Sequence, residues 1–321
     1  MDIIKWGIIG CGDVAEVKSG PAFQKIINSE LIAVMRRNGE KAKDFAKRHN
    51  VPFFYNTVDD IINHPEINAI YIATPPSTHL EIAKKCLTAN KFVYLEKPMT
   101  IDANEAKELE KIVTNNNKIV IAHYRRNLPA FQKVKELLNS NCIGKVFFAD
   151  ITILQSTTNN VIAKTDENWR LKPETSGGGY FHDIGPHQID LMLHYFGKIE
   201  KVEGFSTTTH NNKVADIVNG IIAFENGVQF RGIWNFMAAE SDVKDECKIY
   251  GEKGTITFSF YGEKVYLKTL DKQEVFSFKN PKHVQQPLIA QTVDYFLGKT
   301  TNPCSVEDGV KVMEILDTFT T

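Results

Sequence analysis

Short apolar runs alternate with amphipathic stretches over the first third of the chain, and that rhythm changes after residue 122. Ile3–Ile9 is an apolar run ending in Gly-Cys-Gly, followed by Leu31–Met35, Phe53–Tyr55, Ala69–Ala73, Phe92–Leu95 and Ile119–His123. The stretches between them carry helix-start signals. Thr78-His-Leu-Glu81 reads as a capping box before Ile82, Ala83 and Leu87. Asp102 reads as the cap of a helix holding Ala106, Leu109 and Val113. Strand–helix alternation of this length predicts a parallel sheet covered on both faces. Gly20-Pro21 interrupts the first helical stretch, which is expected to be short, with an insertion before Phe23.

Beyond Tyr124 a helix opens at Pro129, with apolar positions Val134, Leu137 and Leu138. Long strand-like runs follow: Lys145–Gln155, Ile199–Thr209, Ile217–Phe224, Val228–Phe236, Cys247–Tyr250, Thr255–Phe260 and Lys264–Leu270. Glu225-Asn-Gly227 and Gly251-Glu-Lys-Gly254 read as hairpin turns. One helix is expected near Phe181–Phe196 and two near the end. The expected architecture is an α/β Rossmann domain over residues 1–122, then an α+β domain over residues 123–321 with a large, mostly antiparallel open sheet.

Composition narrows the function classes. The 321 residues are 42% apolar and 24% charged, with a formal net charge of −1. No basic excess draws the chain to nucleic acid or an acidic membrane. The Met1–Gly10 start is too short for a secretory signal, and no run approaches the roughly 18 apolar residues of a membrane span. The cytoplasm is the expected compartment. Cys11, Cys86, Cys142, Cys247 and Cys304 are scattered, form no Cys-x-x-Cys pair, and read as small apolar residues. Cys11 stands apart because it lies in a glycine loop.

That loop, Gly10-Cys-Gly12-Asp13-Val14-Ala15, directly follows a buried strand. The first glycine allows a tight turn, and the second lets backbone approach a pyrophosphate. Ala15 stands where close helix–strand packing is needed, and backbone N–H groups at the helix start face the phosphates. The end of the second strand selects the dinucleotide. NAD sites usually place an acid there for the ribose hydroxyls, but this chain has Met35-Arg36-Arg37-Asn38. Arginine at that corner holds a 2′-phosphate, so the expected cofactor is NADP, with NAD as the alternative. The competing reading leaves both arginines in solvent or one stacked on adenine.

The fifth run ends Val93-Tyr-Leu-Glu96-Lys97-Pro98. Carboxyl ends of parallel strands face the ligand crevice, so Lys97 is expected near the nicotinamide, where it can stabilise an alkoxide and assist proton transfer. Pro98 is a candidate cis proline. Thr74, Pro75 and His79, after the fourth run, are expected to flank the cofactor. In the second domain Gly177–Gly179 would let backbone pass close to a ligand. Asp183 and His187 are four apart on the helix that follows and share a face. His187 can take a hydroxyl proton while Asp183 orients it or touches substrate. Two alternatives stand beside this: Asp183 only caps the helix and His187 is packed, or His182, Asp183, His187, Asp190 and His194 form a metal cluster. The favoured reading has no metal.

Together the glycine loop, Ala73-Thr-Pro-Pro-Ser-Thr-His79, Glu96-Lys-Pro98 and Gly177-Gly-Gly-Tyr-Phe-His-Asp183-Ile-Gly-Pro-His187 resemble the glucose–fructose oxidoreductase / inositol dehydrogenase (Gfo/Idh/MocA) family over nearly the whole chain. Asn168-Trp-Arg-Leu-Lys-Pro173 is similar to a segment of the dihydrodiol dehydrogenases in that group. The resemblance implies oxidation or reduction of a hydroxyl or carbonyl on a sugar, polyol or cyclic diol. It implies functional roles for Lys97, Asp183 and His187, with Glu96 beside the cofactor. Trp169 and Arg170 are candidates to cover the nicotinamide or the sugar, and Tyr124 and Arg125 to contact substrate. Interdomain packing is the competing role for Trp169 and Arg170. The expected partners are a carbohydrate-like small molecule and a second copy of the chain, as a homodimer or dimer of dimers. A non-catalytic NADP(H) sensor is the alternative function.

Overall fold

The computed structural model describes residues 2–114, 118–156, 168–209 and 213–321. Two compact units emerge: Met1–Tyr124 with Pro281–Met313, and Arg125–Asn280 with Glu314–Thr321.

In the first unit β1 (Ile4–Ile9), β2 (Ser29–Met35), β3 (Phe53–Tyr55), β4 (Ala69–Ile72), β5 (Phe92–Leu95) and β6 (Ile119–Ile121) form one parallel sheet in the order β3-β2-β1-β4-β5-β6. Strand β4 is buried along its whole length and β1 at all but Lys5, which is why they read as apolar runs. Strand β3 is an edge strand, and Phe53 and Phe54 are exposed. Helices α1 (Gly39–Arg48), α2 (Val58–Ile62), α3 (His79–Thr88) and α4 (Ala103–Ile112) lie between the strands. Asp102 caps α4 as expected, accepting from the Glu105 N–H at 2.8 Å. The capping box at Thr78 does not form: its hydroxyl donates instead to Thr74 Oγ1 at 2.7 Å and the Pro75 carbonyl, because a 3-10 turn over Pro76–Thr78 precedes α3.

The glycine–proline interruption has a defined form. Ala15–Ser19 is wound as a π-helix and Gly20–Lys25 as a 3-10 turn. A Cβ on Gly20 would meet the Ala15 carbonyl oxygen at 2.5 Å, so the wider winding requires glycine there.

In the second unit, α5 (Pro129–Asn139), α6 (Pro173–Ser176) and α7 (Gly179–Phe196) accompany eight strands. These are β7 (Val146–Leu154), β8 (Ile199–Thr207), β9 (Ile217–Phe224), β10 (Gln229–Asn235), β11 (Lys244–Gly251), β12 (Gly254–Phe258), β13 (Lys264–Thr269) and β14 (Gln273–Ser277), in the order β14-β13-β12-β11-β7-β10-β9-β8. Every pairing is antiparallel except β7 with β10. Both expected hairpins form, at β9–β10 with Gly227 at φ +85° and at β11–β12. Strand β14 escapes the sequence reading because its pattern, Gln-Glu-Val-Phe-Ser, is short and mostly polar.

Two helices end the chain, α8 (Gln286–Phe296) and α9 (Val306–Thr320). Residues 281–313, which the sequence reading assigned to the second domain, belong to the first unit. Phe296 explains why: its ring lies 5.7 Å from that of Trp6 in β1 and 5.0 Å from that of Phe92 in β5. No helix among the described residues is long and apolar enough to cross a membrane.

Candidate active site

The first unit's sheet changes direction between β1 and β4, both of which start from the centre and lead outward to opposite edges. Such a switch point opens a crevice at the carboxyl ends of the strands. The glycine loop stands there. Gly10 has φ +94°, and a Cβ on it would lie 2.8 Å from the Ala73 carbonyl at the end of β4. The N–H groups of Gly10 and Cys11 both donate to the Met35 carbonyl, at 2.9 and 3.2 Å, tying the turn to the end of β2. Gly12 is the reverse case: a Cβ there would meet nothing within 4 Å. Open space over Gly12, beside the first-turn N–H groups of Asp13 and Val14, fits a pyrophosphate. Cys11 is buried, and burial pushes its thiol up to about 11 against the pull of Arg36, so it is no nucleophile near neutrality.

Arg36 and Arg37 follow β2, half-buried and exposed respectively. Among the described residues neither guanidinium has an ion-pair partner. By contrast Arg48, at the end of α1, is paired with Glu16 at 2.6 Å and Asp44 at 2.7 Å. The two strand-end arginines therefore keep their charge available for an anion.

Thr74 and Pro75 follow β4 on the crevice side. His79, expected to flank the cofactor, is turned inward instead. It is 1% exposed, its Nε2 lies 2.8 Å from the Thr74 carbonyl, and its Nδ1 lies 3.0 Å from that of Pro98. Burial lowers its pKa, and the carbonyls oppose that. His79 thus straps the loop after β4 to the loop after β5.

Glu96, expected beside the cofactor, also turns inward. It is buried, and its carboxylate accepts from the Tyr71 hydroxyl at 2.6 Å, from Gln285 Nε2, and from the Lys97 backbone N–H at 3.1 Å. Glu96 faces the interior and Lys97, half-buried, follows it at the crevice. The Lys97–Pro98 peptide is cis.

In the second unit α7 carries the predicted acid and histidine. Asp183 accepts from Arg170 Nε at 2.7 Å, and the Arg170 guanidinium stacks over the Trp169 ring at 4.6 Å. Arg170, expected at the cofactor, is therefore committed to Asp183. Asp183 lies inside α7, so it does not cap that helix. His187 is buried one turn further on. The glycine triplet serves the protein's own side chains: a Cβ on Gly178 would collide with the His182 ring, and one on Gly179 would lie 2.6 Å from Val214. Gly177 and Gly179 have φ of +84° and +73°, which favours glycine independently.

Arg125, expected to touch substrate, is buried. It donates to the Phe260 carbonyl and stacks over the Tyr261 ring at 4.5 Å. Tyr124 is buried too. Arg126, which follows Arg125 and was given no role from the sequence, makes a fork on Asp190 at 2.7–3.0 Å. That pairing takes Asp190 out of the metal stripe. Among the described residues no group of three His, Cys, Asp or Glu side chains could hold a metal ion.

The first unit carries a strand-end glycine turn after β1 and a half-buried lysine after β5, and the second carries an acid and a histidine one helical turn apart on α7; the fold of the first unit is that of an NAD(P)-dependent oxidoreductase. The comparisons with known proteins specify which. A family model described as an oxidoreductase family with an NAD-binding Rossmann fold matches residues 4–124, and the GFO/IDH/MocA C-terminal domain matches residues 131–257. Oxidoreductase P35 of Formosa agariphila is 53% identical over 98% of both chains. The NADP(+) scyllo-inositol 2-dehydrogenase of Bacillus subtilis is 25% identical, over 99% of this chain and 93% of its own. A levoglucosan dehydrogenase solved with NADH and levoglucosan superposes with a TM-score of 0.87 at 21% identity, covering 98% of this chain and 96% of its own. The chain belongs to the Gfo/Idh/MocA oxidoreductase family.

Proposed function

We propose that the protein transfers hydride between NADP and a hydroxyl or carbonyl carbon of a sugar, polyol or cyclic diol. The observation that carries this reading is Lys97, half-buried at a strand end, with its backbone fixed by the buried Glu96 carboxylate. Gly10, Gly12, Asp13, Val14, Thr74 and Pro75 would hold the dinucleotide, and Arg36 and Arg37 its 2′-phosphate. When bound, nicotinamide supplies the hydride chemistry. Lys97 donates a hydrogen bond to the reacting oxygen and stabilises negative charge there. His187 takes or returns the hydroxyl proton, and Asp183, held by Arg170, sets the polar side of the substrate position. The inositol dehydrogenase and the levoglucosan complex among the relatives support a carbohydrate-like substrate.

A homo-oligomer accompanies this reading. On one face of the eight-stranded sheet Val275 sits opposite Tyr266, and Phe205 lies two residues from Glu203, which faces Ile221. These four apolar side chains are 45–65% exposed. The cytoplasm is the proposed compartment.

The test is a panel of polyols, sugars and cyclic diols followed by the absorbance of reduced nicotinamide. Lys97→Ala is expected to abolish turnover on any active substrate with dinucleotide binding retained, and His187→Ala to remove one titration from the pH–rate profile. Dinucleotide binding with no turnover on the whole panel would favour a sensor instead.

A further inference from the structure

The polar groups buried in the first unit's aromatic core form one connected chain. The Ser19 hydroxyl donates to the Tyr71 hydroxyl at 3.0 Å, which donates to Glu96 Oε1 at 2.6 Å. Gln285 Nε2 donates to the same oxygen, and the Gln285 side-chain carbonyl accepts from the Tyr94 hydroxyl at 2.9 Å. Glu96 Oε2 then accepts the Lys97 N–H. Ser19, Tyr71, Tyr94, Glu96 and Gln285 are all at least nine-tenths buried. Burial holds both phenols protonated, so each keeps a proton to donate, Tyr71 to Glu96 and Tyr94 to Gln285.

A buried carboxylate is costly unless its oxygens are satisfied, and here every donor has a defined origin. Gln285 comes from a segment nearly 190 residues away in sequence, |i−j| = 189. The same segment grips the π-helix that follows the glycine loop: the Gln285 N–H donates to the Lys18 carbonyl at 3.2 Å, and His283 Nδ1 lies 3.0 Å from the Val17 carbonyl. Ser19 ends that π-helix. Two buried routes therefore run from the helix after the glycine turn to the residue that fixes Lys97, and Gln285 lies on one of them with both its backbone and its side chain.

We propose that Gln285 is a positioning residue for Lys97, acting through Glu96, and that it couples the glycine-turn helix to the lysine. The inference rests on the reading of Lys97 as a functional group and names what aims it. Removing the Gln285 amide takes one donor from Glu96 Oε1, frees the carboxylate to turn, and loosens its hold on the Lys97 backbone. Losing an orientation of this kind lowers turnover by about ten- to a hundredfold.

The test has two readouts. Lys97 reactivity is followed without turnover, by acetic anhydride labelling from pH 7 to 11 and peptide mass spectrometry, in the native chain and in Gln285→Leu. The labelling curve is expected to move by at least about half a pH unit. The kcat is expected to fall by about ten- to a hundredfold, and the NADPH Kd to stay within about twofold, because the backbone bond to Lys18 survives. Gln285→Glu, nearly isosteric, serves if the leucine variant does not fold. Two carboxyl groups at one hydrogen bond share a proton, so its curve is expected to gain a second inflection. Glu96→Gln/Gln285→Glu restores one acid and one amide, and is expected to recover part of the lost kcat. A Lys97 labelling curve superimposable on the native one in Gln285→Leu or Gln285→Glu overturns the proposal, as does a double variant no better than the worse single. Labelling that shifts as expected while Lys97→Ala keeps full turnover would uphold the positioning and sink the redox role of the lysine.

Discussion

Gly10 and Gly12 stand two residues apart and are expected to respond in opposite ways to the same added methyl group. Gly12 has open space at its Cβ position and a backbone angle outside the left-handed region. Gly12→Ala should therefore leave the fold intact or stabilise it by about 0.4–1 kcal/mol through a less disordered unfolded chain. At about 2–4 °C per kcal/mol, the thermal midpoint should stay level or rise by up to about 4 °C. The methyl would occupy the space assigned to the pyrophosphate. Displacing that group from even one charge-assisted hydrogen bond costs about 1.5–3 kcal/mol, or about ten- to a hundredfold in Kd. Gly10→Ala has the opposite balance. Its φ of +94° costs a side chain about 1–2 kcal/mol. The new carbon would also stand 2.8 Å from the Ala73 backbone, which cannot rotate away. Overpacking of that kind adds about 1–3 kcal/mol, so the midpoint should fall by roughly 4–20 °C. Differential scanning fluorimetry and an NADPH fluorescence titration on the two variants read both quantities. Native affinity in Gly12→Ala would show that no phosphate rests there, and an unchanged midpoint in Gly10→Ala would refute the account of the turn.

Two further predictions address the arginines proposed to select the cofactor and an ion pair buried in the second unit. Arg36→Ala and Arg37→Ala together should weaken NADPH by about ten- to a hundredfold and leave NADH within about threefold, as measured by calorimetry; equal losses for both dinucleotides would place the arginines elsewhere. Arg126→Met should destabilise by about 3–5 kcal/mol in urea unfolding, because it strands the 1%-exposed Asp190 carboxylate. Arg126→Met/Asp190→Leu should recover most of that loss, and a double variant as unstable as the single would mean that the pair is not what the site needs.

Periodicity carried the architecture because burial leaves its mark in consecutive residues. Strand β4 is buried at every position, and β9 alternates, so each type of sheet wrote its own pattern into the chain. The proposed site was read from local spacing: the Gly10–Gly12 turn, the arginines after β2, Lys97 before Pro98, and Asp183 with His187. It was illegible wherever a polar side chain finds its partner far along the chain. Nothing near Gln285 announces Glu96, and nothing near Arg126 announces Asp190 at |i−j| = 64. Sequence spacing also cannot tell whether a polar residue in a motif looks outward or inward, which is how His79, Arg125 and Arg170 came to be assigned to ligands.

That last ambiguity follows a rule in this molecule. Two pairs join a half-exposed residue to a buried one that holds it. Glu96 goes inward and Lys97 remains half-exposed beside it. Arg170 is buried, and Asp183, which it grips, is half-exposed. His79 is buried and fixes the carbonyls of Thr74 and Pro98, on the loops that carry the crevice. Even the glycine triplet is inward-looking, since it makes room for His182 and Val214. The division has a physical cause. A half-exposed group has few packing contacts of its own, while catalysis requires a reacting group to be held within fractions of an ångström. The missing rigidity has to come from a neighbour that is buried and fully hydrogen-bonded. On the proposed roles, Glu96 and Lys97 join a reacting group to its support in adjacent positions, and substitution of the buried member should act on turnover through the exposed one.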